Sequence, residues 1–192
     1  MIGALDLRFR LSRSRDGSLE ILYRVKNETP RTVFLTTPLV RIGLDEARPR
    51  TSLVYTFLDL AGVLQITKRL WPVPVGLDVF SPEVPLLTEV RPWTVFDEVS
   101  RVPLPIQVTY PYRADTIGSS EAPVRSRGVM FSVGYFVEGE QGLSRTAARK
   151  TREGYAADYD VLAGRQQLLM GGRAPAQLPV SVRRDEIRGE GR

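Results

Sequence analysis

The chain has 192 residues, 42% of them hydrophobic and 26% charged, a balance ordinary for a folded domain that needs no metal or disulfide to hold its core. It contains no cysteine and no histidine, which removes thiolate nucleophiles, disulfides, zinc ribbons and every Ser-His-Asp, Cys-His or HExxH site at once. The formal charge is +5, carried by 24 Arg and 3 Lys scattered along the whole chain, so the excess reads as an Arg-rich solvated surface.

Residues 5–11, Leu-Asp-Leu-Arg-Phe-Arg-Leu, alternate apolar and charged side chains, the pattern of a half-buried strand. Asp16-Gly17 then marks a tight turn into a second alternating run, residues 19–26, and the two predict a hairpin. A third run starts at Thr32-Val33-Phe34-Leu35 and reaches Ile42 through Pro38, whose missing N–H predicts an edge or a bulge. Asp45 to Arg50 reads as a charged connection, followed by strands over 53–58 and 63–67 with a turn at Asp59 to Gly62.

Eight of the 14 prolines fall between Trp71 and Pro111, and an interior proline costs a helix about 3 kcal/mol. Three short strands are therefore expected there, at 86–90, 93–96 and 106–110. Residues 113–128 have no periodicity and read as a long exposed loop. Val129 to Val137 is the strongest strand signal of the second half, with Gly134 marking a bulge or a close backbone approach.

Helix formers cluster only at residues 144–153, where one short helix capped by Ser144 is expected. Tyr159 to Met170 supplies a last strand, interrupted at Gly164. Residues 1–172 thus form one domain, and Arg173 to Arg192 a polar tail in which Leu178, Val180 and Val182 alternate as an added strand would. Eight or nine short strands without alternating helices and without an internal repeat predict an all-β fold, an antiparallel β-sandwich.

Two segments carry a family resemblance. Residues 19–29 with Val33-Phe34-Leu35 resemble the second and third strands of bacterial immunoglobulin-like accessory domains. Val90-Arg91-Pro92, the run from Trp93 to Val99, and Pro103-Leu104-Pro105 resemble their proline corner and following strand, with Trp93 where a glycine is usual. The resemblance implies an immunoglobulin-like sandwich and no ligand.

No catalytic, cofactor-binding or metal-ligating set stands out. Asn27-Glu28-Thr29 matches a glycosylation sequon but reads as turn chemistry before Pro30. Gly118-Ser119-Ser120 lacks both the nucleophile-elbow frame and a histidine partner. Glu138, Glu140, Asp158 and Asp160 supply carboxylates for a hydrolase or hard-cation reading, yet their spacing matches no metal loop. Arg145, Arg149, Lys150 and Arg152 are the densest basic cluster, and on a helix Arg145, Arg149 and Arg152 would share a face toward phosphates, with Tyr155 and Tyr159 near for stacking. Trp71 and Trp93 lie in proline-rich connections, where aromatic side chains serve as interface anchors or as plugs at a sandwich end.

The expectation is a non-enzymatic protein-interaction or assembly module with a protein partner or a second copy, and without a cofactor. An Arg-rich nucleic-acid or anionic-surface binder is the rival, and a carboxylate hydrolase the third reading. With no apolar run near the ~18 residues that span a bilayer and no secretory signal at the start, a cytoplasmic setting is expected.

Overall fold

The computed structural model describes residues 4–37, 39–41, 48–50, 54–79, 84–109, 111, 123–139, 148–152 and 154–181. The chain is all-β. Its strands are β1 (Leu5–Arg13), β2 (Leu19–Asn27), β3 (Val33–Thr36), β4 (Leu39–Arg41), β5 (Arg48–Arg50), β6 (Tyr55–Leu58), β7 (Leu64–Lys68), β8 (Leu87–Val90), β9 (Val95–Val102), β10 (Ile106–Gln107), β11 (Val124–Arg125), β12 (Val129–Val137), β13 (Arg149–Lys150) and β14 (Tyr155–Ala156). One helical turn, α1 (Tyr159–Leu162), precedes β15 (Gln167–Met170) and β16 (Pro179–Ser181). Among the described residues sixteen strand segments stand against the expected eight or nine, because several long runs break and two-residue pairings too short to show a period join the sheets.

The first sheet is a three-stranded antiparallel layer in the order β1-β2-β9. Its hairpin closes as expected at Asp16-Gly17, where Ser14 N donates to Ser18 O (2.8 Å), Asp16 Oδ1 accepts from Ser18 N (2.9 Å), and Gly17 takes φ +84°. In β2 the alternation of the sequence becomes alternation of burial: Leu19, Ile21, Tyr23, Val25 and Asn27 point inward, and Leu22, Arg24 and Lys26 outward.

The second sheet runs β13-β14-β8-β3-β12-β7-β6, with β15 also on β12. Ser132 and Val133 pair with both β7 and β15, and Tyr135 with both β3 and β15. Hence β7, parallel to β12, and β3, antiparallel to it, follow one another along one edge of β12 while β15 takes the other. The handover falls at Gly134. There the Thr36 hydroxyl lies against the carbonyls of Lys68 (2.8 Å) and Gly134 (3.0 Å). A Cβ on Gly134 would stand 2.0 Å from Gln166 Oε1 and 2.7 Å from Thr36 Oγ1, so the close approach read from the sequence is what excludes a side chain.

A small sheet, β10-β16-β11, adjoins the β6 edge through the Thr56–Thr109 bridge. The main core lies between the layers: Leu7, Ile21, Tyr23 and Val25 face Leu35, Ile66, Phe131 and Val133, and Ile106 and Val180 close one side. A second cluster, Phe34, Leu70, Leu87, Phe136 and Leu162, covers the far face of the large sheet. That second layer is why β3 and β12 are buried on both faces, and each such Leu, Val or Phe contributes about 1.5–3 kcal/mol.

Several expectations are corrected. Residues 148–152 are not helical. Arg149 and Lys150 form a hairpin with β14, closed by Thr151 N to Gly154 O (2.7 Å). Tyr155 drives this, since it packs edge-on against Phe34, hydrogen-bonds Glu89 (2.8 Å) and pulls the segment onto β8. The stretch 159–170 begins as the helical turn and is extended only from Gln167. Of the connection at 45–50, Arg48–Arg50 pairs with Leu39–Arg41. In the supposed loop, Val124–Arg125 is a strand and Ser126 is buried, while residues 113–122 lie outside the described residues. The added strand read in the tail is not among these corrections: Pro179–Ser181 lies between β10 and β11 with Val180 wholly buried, while Val182 lies outside the described residues.

Gln166 holds both the N–H (2.8 Å) and the carbonyl (3.0 Å) of Leu70, so it does not yield freely to a new methyl at position 134. Gly134→Ala should therefore cost about 1–3 kcal/mol in urea unfolding, as overpacking does. A wild-type midpoint would show that the handover is looser than its geometry.

Candidate interaction site

The turn between β8 and β9 carries the most exposed aromatic side chain among the described residues. Its shape follows from residues 91–94. Pro92 presets φ at the second turn position, Thr94 N donates back to Arg91 O (3.3 Å), and the Thr94 hydroxyl reaches the same carbonyl (2.8 Å). Trp93 then takes φ +60°, a left-handed conformation that glycine enters freely and an L-residue enters at about 1–2 kcal/mol. Its side chain is 68% exposed.

Asn27 fixes this turn from beneath. It is wholly buried at the end of β2; its N–H donates to Thr94 O (2.9 Å) and its Nδ2 reaches Val90 O (3.0 Å), Arg91 O (3.1 Å) and Arg31 O (2.8 Å). Its Oδ1 accepts from the N–H (3.0 Å) and hydroxyl (2.7 Å) of Thr29. The residues that spell a sequon are thus turned inward as a staple, and a left-handed Trp93 is carried on a rigid mount.

Trp71 has a different environment. The Arg69 guanidinium lies 3.8 Å from its ring centre, and Tyr55 and Phe57 meet it edge-on at 6.0 and 5.7 Å. It is half-buried and packs at the β6 edge of the large sheet. The structure does not bring the two tryptophans into one contact cluster.

The basic residues lose their common face. Arg149 and Lys150 are exposed on β13, where successive side chains point to opposite faces, and Arg152 is exposed in the turn that follows. Arg145 lies outside the described residues. Tyr155 and Tyr159 are half-buried in the second cluster, with Tyr159 Oη accepting from Val73 N (2.9 Å). Among the described residues no three acidic side chains gather as a cation site; Glu140 and the Gly118-Ser119-Ser120 segment lie outside them.

A polar cluster that sequence reading passed over joins the two layers. Lys68, at the end of β7, has 0% exposed surface and donates to Glu98 Oε2 of β9 at 2.5 Å. The Tyr23 hydroxyl of β2 donates to the same oxygen, and Thr37 donates to both carboxylate oxygens (3.0 and 2.9 Å). Lys68 Nζ also lies 5.6 Å from the centre of the Tyr23 ring. Burial lowers the Lys68 ammonium from its ordinary range against the opposing pull of Glu98; burial first, and Glu98 second, hold the Tyr23 phenol well above its own. With Lys68 fully enclosed, no outside molecule reaches the ammonium unless the layers part. The available signal was parity: Lys68 falls in phase with Leu64 and Ile66, and Glu98 with Phe96, Ser100 and Val102.

Against protein-family models, curated proteins and solved structures, the chain shows no match. Among the described residues no helix is long and apolar enough to cross a membrane.

Two measurements probe the cluster. Glu98→Ala takes the carboxylate from a buried ammonium and should cost about 3–5 kcal/mol, whereas Lys68→Met with Glu98→Leu should recover most of that. A double variant as unstable as the single would mean that shape, not charge, is at stake. Tyr23 gives a pH signature. Above pH 10.0, its ordinary value, the unfolded phenol ionises while the folded one stays protonated, so its stabilising contribution is present below that pH and lost as pH rises further. Lys68 acts oppositely: its unfolded form holds the proton up to about 10.5, so its contribution improves with pH below that value. Tyr23→Phe should flatten the alkaline loss in urea melts. An unchanged slope would assign the loss to other tyrosines.

Proposed function

We propose that the chain is a non-enzymatic protein-interaction or assembly module that grips a partner through Trp93. The observation that carries this reading is a large aromatic side chain, mostly exposed, held where its backbone conformation favours glycine. Strain of this kind persists only when the surroundings enforce it, and Asn27 and Thr94 do so. A rigid tryptophan knob loses little side-chain entropy when a partner's apolar pocket closes on it, which is why such residues dominate interface energetics.

The lack of histidine and cysteine agrees with a non-catalytic role, and the closed Lys68–Glu98 pair reads as structural. The likeness of residues 90–105 to the corner of immunoglobulin-like accessory domains fits the same reading, with tryptophan substituted at the glycine position. A cysteine-free chain also suits the cytoplasmic setting we assign to it. The nucleic-acid reading is the weaker one, because β13 splits Arg149 and Lys150 between two faces.

Trp93→Gly separates binding from folding. It relieves the left-handed strain, about 1–2 kcal/mol offset in part by the flexibility of glycine in the unfolded chain, so the melting temperature should stay level or rise. Recovery of the partner in pull-downs at near-physiological salt should fall about thirtyfold, the loss of a 2 kcal/mol anchor. Undiminished recovery, or a variant that melts several degrees lower, would make Trp93 a structural plug.

A further inference from the structure

Among the described residues β9, one of the two outer strands of the first layer, has a free side whose chemistry matches itself. Asn27 N donates to Thr94 O, directly before β9, and in an antiparallel pair hydrogen-bonded partners alternate with non-bonded ones. Val25 with Phe96, Tyr23 with Glu98, Ile21 with Ser100 and Leu19 with Val102 are therefore the bonded partners. The N–H and C=O groups of Val95, Asp97, Val99 and Arg101 point away from β2. Among the described residues no strand lies on that side, since β9 ends the sheet.

The side chains of these four residues stand on the outer face, where Val95 is 48% and Val99 45% exposed. Val99 sits opposite Leu22, itself 44% exposed, as an apolar pair. An ion pair flanks it on each side: Arg24 grips Asp97 with two hydrogen bonds (2.7 and 2.9 Å), and Arg101 meets Glu20 (2.9 Å). Along β9 the order is acid, valine, base.

We propose that two copies of the chain join through this edge, antiparallel about Val99, into one six-stranded sheet. The inference rests on the reading of the chain as an interaction module and names one partner, a second copy. About a two-fold axis at Val99, each Asp97 faces the second copy's Arg101, and the two Val99 side chains meet. The charges then alternate across four strands as Arg24, Asp97, the second copy's Arg101 and the second copy's Glu20, twice over, around an apolar row of Leu22 and Val99 from each copy. Opposite charges directly across a strand pair attract, and like charges repel. A slip of two residues either way sets Asp97 or Arg101 against Val99 and breaks the apolar row, so one register is selected. Three narrow pairs, at Asp97, Val99 and Arg101, exchange about six backbone hydrogen bonds. Pro103, without an N–H, falls opposite Val95 and ends the ladder. The interface is isologous and closes at two, which caps an edge that would otherwise invite open-ended pairing.

Sedimentation velocity tests this directly. At about 100 µM, suited to an edge contact of micromolar strength, the wild type should run at twice the 21.5 kDa chain mass. Asp97→Arg and Arg101→Asp each place like charges at both contacts and should weaken dimerisation tenfold or more, whereas mixing the two variants pairs four opposite charges and restores the dimer. Circular dichroism of each variant confirms that it is folded. The absence of native cysteine gives a second readout: Val99→Cys should oxidise to a covalent dimer, and Val95→Cys, far from its own copy in this register, should not. A wild type that stays at single-chain mass, single variants that dimerise as before, or equal cross-linking at 95 and 99 overturns the proposal. Such a failure leaves the Trp93 reading standing, because Trp93 lies outside the paired stretch and Trp93→Gly should not alter the dimer.

Discussion

An ammonium group sealed between two β layers constrains this structure more than any apolar contact does. Taking Lys68 out of water costs several kcal/mol, and the expense is offset only if a carboxylate meets it with good geometry. The carboxylate comes from the facing layer. Glu98 points inward on β9, and its bonded partner on β2 is Tyr23, so one register of the first sheet delivers both the anion and a hydroxyl donor to it. Thr37, just beyond β3, supplies the other donor. Apolar burial is less directional than a hydrogen-bonded ion pair. A buried ion pair with two hydroxyl donors accepts one alignment of the layers and sets where each apolar side chain of the core must fall.

The long strands were legible for two reasons: in β1 and β2 one face is buried and burial follows the alternation of the sequence, while β12, buried on both faces, shows as an almost unbroken apolar run rich in Val and aromatic residues. The rest depends on distant parts of the chain. Residues 148–152 hold good helix formers, yet Tyr155 finds Phe34 and Glu89, and tertiary packing overrides a local preference worth a few tenths of a kcal/mol per residue. Two-residue strands such as β10 and β11 exist only because β16 lies between them, and no window of sequence contains both partners. The Lys68–Glu98 pair was hidden for the same reason, with a further disguise: a lysine closing an apolar run looks like the solvated end of a strand.

Trp93 shows what sequence does and does not reveal about a site. Its setting, an aromatic residue in a proline-rich corner, was visible in the chain. The left-handed backbone was not, since it arises from Asn27 binding the carbonyls of Val90 and Arg91 across the layer. Read alone, Asn27-Glu28-Thr29 suggests a modified surface asparagine; folded, the amide is wholly buried and spent on five hydrogen-bond partners. The pattern and the chemistry diverge because a sequon specifies residue types, and burial is a property of what lies above them.

The features that point outward converge on one strand. β9 begins at the Trp93 turn, carries valines and opposite charges on its outer face, has one backbone side unpaired among the described residues, and sends Glu98 inward to Lys68. An edge strand is ordinarily the most easily frayed part of a sheet, held by hydrogen bonds on one side only. Here the inward carboxylate ties the middle of β9 to the opposite layer, so the strand proposed to meet a second copy is held at its centre as well as along its β2 side. A binding edge that does not fray gives up less entropy on association. The buried charge that costs the core its solvation therefore also acts at the periphery, by fixing the edge and the turn that we propose as contact surfaces.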